Sequence, residues 1–186
     1  MKNNKKLKWF FVLWFIVMIA FATLTFPEHK PLKKIADVSF HVQENEELYF
    51  KNIRSYYYET EEREDAQFYL YRLKSRRKDS LQPTLNLTIV NNWRMDQAYI
   101  LIEPNFDSQE DLKLTFQIDN QLDTLESGLL NTPKHYELAT RIYETITQEG
   151  SVQTLEENPK NLFVEEEDRQ AAIRVLKDYF KLVGKL

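Results

Sequence analysis

The sequence predicts an α+β protein: an N-terminal single transmembrane helix, then an antiparallel sheet of about six strands with two C-terminal amphipathic helices. Three observations predict it. Residues 9–26 carry no charge, apolar residues alternate with a period of two between residues 35 and 119, and the period turns helical after Thr132. Strands first and helices afterwards favour α+β over alternating α/β. The organisation that follows is a basic cytoplasmic stub (1–8), a transmembrane anchor (9–26), a Pro/Lys linker (27–34) and an extracytoplasmic domain (35–186).

The anchor rests on length and flanks. Eighteen residues (WFFVLWFIVMIAFATLTF) at 1.5 Å each span about 27 Å, against a hydrocarbon core of about 30 Å. Trp9, Phe10 and Phe11 stand at one end and Phe26 at the other, where aromatic rings favour the interface. Ala20-Phe21-Ala22 matches a signal-peptidase pattern, so cleavage after Ala22 competes with an uncleaved anchor. The apolar run continues to Phe26 without a polar break, which favours the uncleaved form. Lys2, Lys5, Lys6 and Lys8 hold the N-terminus in the cytoplasm. Without those four, 21 basic residues face 29 acidic ones. A single-pass protein of the inner, cytoplasmic membrane is expected, its acidic domain in a bacterial periplasm or on the cell surface. The linker PEHKPLKK, with two prolines, reads as an extended spacer of roughly 25 Å.

Six segments alternate as strands: 35–42, 48–58, 67–74, 85–90, 98–103 and 112–119. Phe68, Leu70 and Arg72 face one way while Tyr69, Tyr71 and Leu73 face the other. Leu112, Leu114, Phe116 and Ile118 oppose Lys113, Thr115, Gln117 and Asp119, the mark of a sheet with one wet face. Polar connectors at 43–47, 59–66, 75–82, 91–97 and 104–111 are too short for parallel crossovers, so consecutive hairpins are expected.

Thr132-Pro133 suits a helix start, and Tyr136, Ala139, Ile142, Tyr143 and Ile146 form a helical stripe that Gly150 ends. A second helix starts near Glu165–Asp168, four acids that suit its positive end. Ala172, Ile173, Leu176, Phe180 and Val183 supply its buried stripe, with Lys177, Lys181 and Lys185 toward its C-terminus.

Composition excludes several chemistries. There is no cysteine, so disulfides, thiolate nucleophiles and cysteine-bound zinc are absent. The three glycines (Gly128, Gly150, Gly184) are too dispersed for a phosphate loop, and His29, His41 and His135 have no metal-ligand spacing. No cofactor is expected. Asp119 with Asp123, or Glu103 with Asp107, could be paired for acid–base hydrolysis, but 29 acids make such pairs by chance. Asn86-Leu87-Thr88 matches a glycosylation pattern inside a strand, where it carries no weight.

Contact residues are the better candidates. Trp93 and Arg94 stand in a turn and are the residue types that anchor interfaces. Arg76, Arg77 and Lys78 make a basic loop suited to an acidic partner, unless acids such as Asp107, Glu110 and Asp111 balance it. Tyr56 and Tyr58 belong to an aromatic run that offers a sugar- or peptide-binding face, cross-strand packing being the simpler use. In a simple meander the acidic connector 59–66 and the Trp93 turn share one pole, and the basic loop lies at the other. Expected partners are the lipid bilayer through residues 9–26 and a membrane or envelope protein; nucleic acid is not expected. The expected function is that of a non-catalytic accessory or assembly subunit of a membrane complex. A glycan- or peptide-binding module is the alternative, and a carboxylate hydrolase is third.

Overall fold

The computed structural model describes residues 9–15, 18, 32, 39–107, 112–127 and 131–186. The chain divides into two units, Met1–Pro31 and Leu32–Leu186. In the first unit residues 9–15 are helical and exposed. The basic stub, the Ala22 cleavage site and all of the linker except Leu32 lie outside the described residues, as does most of the run 9–26.

No helix among the described residues is long and apolar enough to cross a membrane. This overturns the expected single-pass transmembrane anchor, and with it the signal-anchor, periplasmic and bacterial-envelope readings and the cytoplasmic-membrane localisation. The physical reason is length and amphipathicity. The continuous described stretch, residues 9–15, rises about 10 Å against a core of about 30 Å. The longer helices carry charge on one face.

The second unit corrects the sheet as well. In place of one sheet of about six strands there are two antiparallel sheets of four. The first sheet is a meander of β1 (Tyr58–Arg63), β2 (Phe68–Leu73), β3 (Leu85–Asn92) and β4 (Gln97–Pro104), in that order. The second contains β5 (Leu112–Ile118), β6 (Gln121–Ser127), β7 (Ser151–Thr154) and β8 (Asn161–Leu162), ordered β6-β5-β7-β8. The meander stops after β4 because β5 pairs with β6 and β7 instead. The expected strands at 67–74, 85–90, 98–103 and 112–119 correspond to β2 to β5.

The expected strand at 48–58 is helical. It forms α1 (Glu44–Tyr49), a π-helical turn (Phe50–Arg54) and a 3-10 turn (Ser55–Tyr57), and only its last residue, Tyr58, enters β1. Phe50, Arg54 and Tyr58 recur every four residues and all point inward, which is the helical signal in this stretch. Phe50 anchors the ladder, its ring 5.0 Å from Tyr71 and 5.5 Å from Tyr58. Conversely, the expected connector at 59–66 is mostly strand. In β1 every side chain after Tyr58 is exposed, so it has no buried face to announce it. Of the expected strand at 35–42, residues 35–38 lie outside the description. His41 makes a single bridge to Gln97, flanked by Val42 N–H donating to Asp96 and Ala98 N–H to Phe40.

Two long helices close the core. In α2 (Thr132–Thr147) the cap is Asn131, whose side chain accepts from the Lys134 N–H, with proline in the first turn. The chain leaves α2 through Glu149 at φ 59, and Gly150 then lies against β5. A Cβ there would stand 2.5 Å from the Gln117 carbonyl oxygen. The other helix, α3 (Glu166–Leu182), has three acids in its first turn. It packs on β3 and β4, while α2 contacts β4 of one sheet and β5 and β7 of the other. The helices meet through Phe180, which sits edge-on to Tyr136 and Tyr143 at 5.9 and 5.5 Å. Each such aromatic pair contributes about 1 kcal/mol beyond its burial. His135 is buried in the first turn of α2, where its Nδ1 accepts from the Ile102 N–H at 3.2 Å, and burial lowers its pKa.

Candidate functional site

The inner face of the first sheet is covered in part by the 44–57 ladder and in part by α3. Between the two lies a cleft of about 310 Å³, lined by Tyr49, Arg54, Ile173, Arg174, Lys177 and Lys181 together with Gln170 and Asp178. Asp178 is buried and holds the floor. It accepts two hydrogen bonds from Arg54, at 2.8 and 2.9 Å, and one from the Tyr58 hydroxyl at 2.7 Å. The paired carboxylate raises the Arg54 pKa through that hydrogen bond, and burial followed by the Asp178 charge pushes the Tyr58 hydroxyl far above its ordinary range. The π-helical turn is what carries Arg54 to Asp178. Such widened turns recur at functional sites.

The other cations have no such partner. Arg174, Lys177 and Lys181 make no ion pair among the described residues, although Asp178 stands one turn from two of them. Arg174 lies 5.6 Å from the Tyr57 ring centre, and Arg54 lies 5.1 Å from the same ring. The cleft therefore presents positive charge on a chain whose net charge is −4. Beside it stands an apolar ridge: Leu48, Tyr49, Ile53, Tyr56 and Tyr57 are all exposed.

The residues singled out from sequence are scattered. Trp93 is about half exposed in the β3–β4 turn, where the Asn92 side chain accepts from the Arg94 and Met95 N–H groups. The Arg94 guanidinium donates to Gln67 at 2.9 Å, which brings the β1–β2 and β3–β4 turns together at one end of the sheet. The basic loop is neutralised internally. Arg76 and Lys78 both reach Glu59 at 2.7 Å, and Arg77 binds both oxygens of the buried Asp168. The balancing acids are thus Glu59 and Asp168, with Asp79 3.8 Å from Arg77, and not Asp107; Glu110 and Asp111 lie outside the described residues. An antiparallel hairpin sets the start of β1 opposite the end of β2, so these acidic and basic clusters meet. Tyr56 is exposed with Lys74 over its ring, whereas Tyr58 is buried and committed to Asp178.

One carboxylate of each pair considered for hydrolysis is engaged elsewhere. Glu103 receives Arg72 and the Thr88 hydroxyl; burial opposes its ionisation, but these bonds outweigh it and its pKa is lowered. Asp123 pairs with Arg141. No group of His, Asp and Glu that could hold a metal occurs among the described residues.

Sequence reasoning missed Arg54, Arg174, Lys177, Lys181 and Asp178 as a group. The spacing of 174, 177 and 181, three cations on one helical face beside Ile173, was the available signal. No family model, curated protein or solved structure matches the chain.

Proposed function

We propose that residues 32–186 form a non-catalytic domain that works by holding a protein partner, an accessory or assembly subunit rather than an enzyme. The observation that carries this reading is the exposed ridge of Leu48, Tyr49, Ile53, Tyr56 and Tyr57. Those side chains stand on a ladder that buries only Phe50 between its first and last helical residues, so the sequence spends large apolar groups on its outer side. Tyrosines on a rigid support are favoured interface anchors because they bring wide contact area with few rotatable bonds. The half-exposed Trp93 turn lies near the start of the ladder, where Asn91 donates to Glu47.

The test is a photocrosslinking residue placed at position 56 or 53 of the full chain in its native cells, with position 62 on β1 as control. One discrete adduct of constant mass from 56 and 53, absent from 62, is expected. No adduct, or the same adducts from all three positions, would sink the proposal.

A further inference from the structure

We infer that the cleft between the 44–57 ladder and α3 receives an extended acidic peptide segment of a protein partner. The inference rests on the proposed function and names the chemistry its partner presents. Arg174, Lys177 and Lys181 climb one face of α3 over about 10 Å of helix. Holding three cations together without acids is unfavourable in the free protein, and an incoming carboxylate relieves that repulsion. Asp178 supplies little of that relief, because its negative charge is already offset by the Arg54 guanidinium that it binds.

A strip of charge fits an extended chain better than a compact anion. A single phosphate prefers converging donors, whereas Arg174, Lys177 and Lys181 are strung along the helix and the Arg54 fork is already bidentate on Asp178. Tyr49 and Ile173 line the same cleft and give apolar side chains between the acids a place to rest. The ridge at Tyr56 and Tyr57 continues that surface. An acidic segment with interspersed apolar residues matches both features at once.

The experiment is calorimetric titration of the full chain with hexaglutamate and, separately, with tripolyphosphate. Saturable hexaglutamate binding is expected, weakened about tenfold or more by the double change Arg174→Glu/Lys177→Glu and left within about twofold by Lys78→Glu. Lys177→Gln, which removes one charge without reversing it, gives an intermediate loss and guards against a misfolded double variant. Circular dichroism of every variant should match the parent. Binding of tripolyphosphate alone, absence of binding, or equal weakening by Lys78→Glu would overturn the inference. So would salt-sensitive self-association abolished by the double change, which would place a second copy's acidic β1 hairpin in the cleft. If the adduct at position 56 persists while hexaglutamate fails to bind, the proposed function survives and this inference does not.

Discussion

The outer face of the first sheet and the cleft beside α3 are both rich in cations, and they use them differently. On the sheet, Arg72 bridges Glu61 and Glu103, while Arg76 and Lys78 share Glu59. Three acids meet three bases there. In the cleft, Arg54 is matched by Asp178, and Arg174, Lys177 and Lys181 have no carboxylate among the described residues. The first cluster is a structural brace between neighbouring strands. The second keeps its charge available. A run of basic residues therefore says little until the partners of each are known, and the conspicuous run at 76–78 is the neutralised one.

The largest effect is expected at Asp178. Asp178→Ala should cost about 3 kcal/mol in urea-induced unfolding, because it strands the Arg54 guanidinium and the Tyr58 hydroxyl. A loss below about 1 kcal/mol would mean that the floor of the cleft is not held by this group.

On the sheet the effects are smaller. Arg72→Ala should cost about 1 kcal/mol, since its ion pairs are partly exposed, and the cost should shrink as salt is raised. A cost that is independent of salt would show that the stem of Arg72, and not its charge, matters.

The same brace should respond to acid. Hydrogen bonds from Lys78 and Arg76 hold the Glu59 carboxyl down at about 2, below the 4.5 of an unperturbed glutamate. Its folded pKa is depressed, so its contribution is present above pH 4.5 and is lost as the pH falls toward 2. Replacing both Arg76 and Lys78 by Gln should flatten the stability profile in that window. An unchanged profile would remove Glu59 from the account.

The smallest effect belongs to the cleft. Lys177→Ala should change stability by no more than about 0.5 kcal/mol, with a slight gain from relieved repulsion. A clear loss in thermal denaturation would reveal a stabilising partner for Lys177 and erase the contrast with the sheet.

Some of this architecture was legible before any coordinates. The stripe Tyr136, Ala139, Ile142, Tyr143 and Ile146 is buried in α2, and Ala172, Leu176, Phe180 and Val183 are buried along α3 or at its end. Both stripes are readable because a helix packed on one side repeats its burial every three to four residues. Alternation likewise located β2 to β5, each with one face turned inward. The ladder at 44–57 misled because its tyrosines lie on the outside, so that composition resembled a strand. The exposed β1 and the short β7 and β8 bury too little to leave a pattern.

Periodicity thus marks the segments that own a buried face: α2, α3 and the strands β2 to β5, whose periods record a single neighbour on one side. The sharing of those segments between two sheets, the meeting of Glu59 with Arg76 and Lys78 across a hairpin, and the turn of Asp178 from Arg174 to Arg54 and Tyr58 arise from long-range packing. The reason is physical. Periodicity reports how much of a side chain is covered, whereas a charge is defined by what lies within a few ångströms of it. In this fold those neighbours come from residues as far as 124 positions away in the chain.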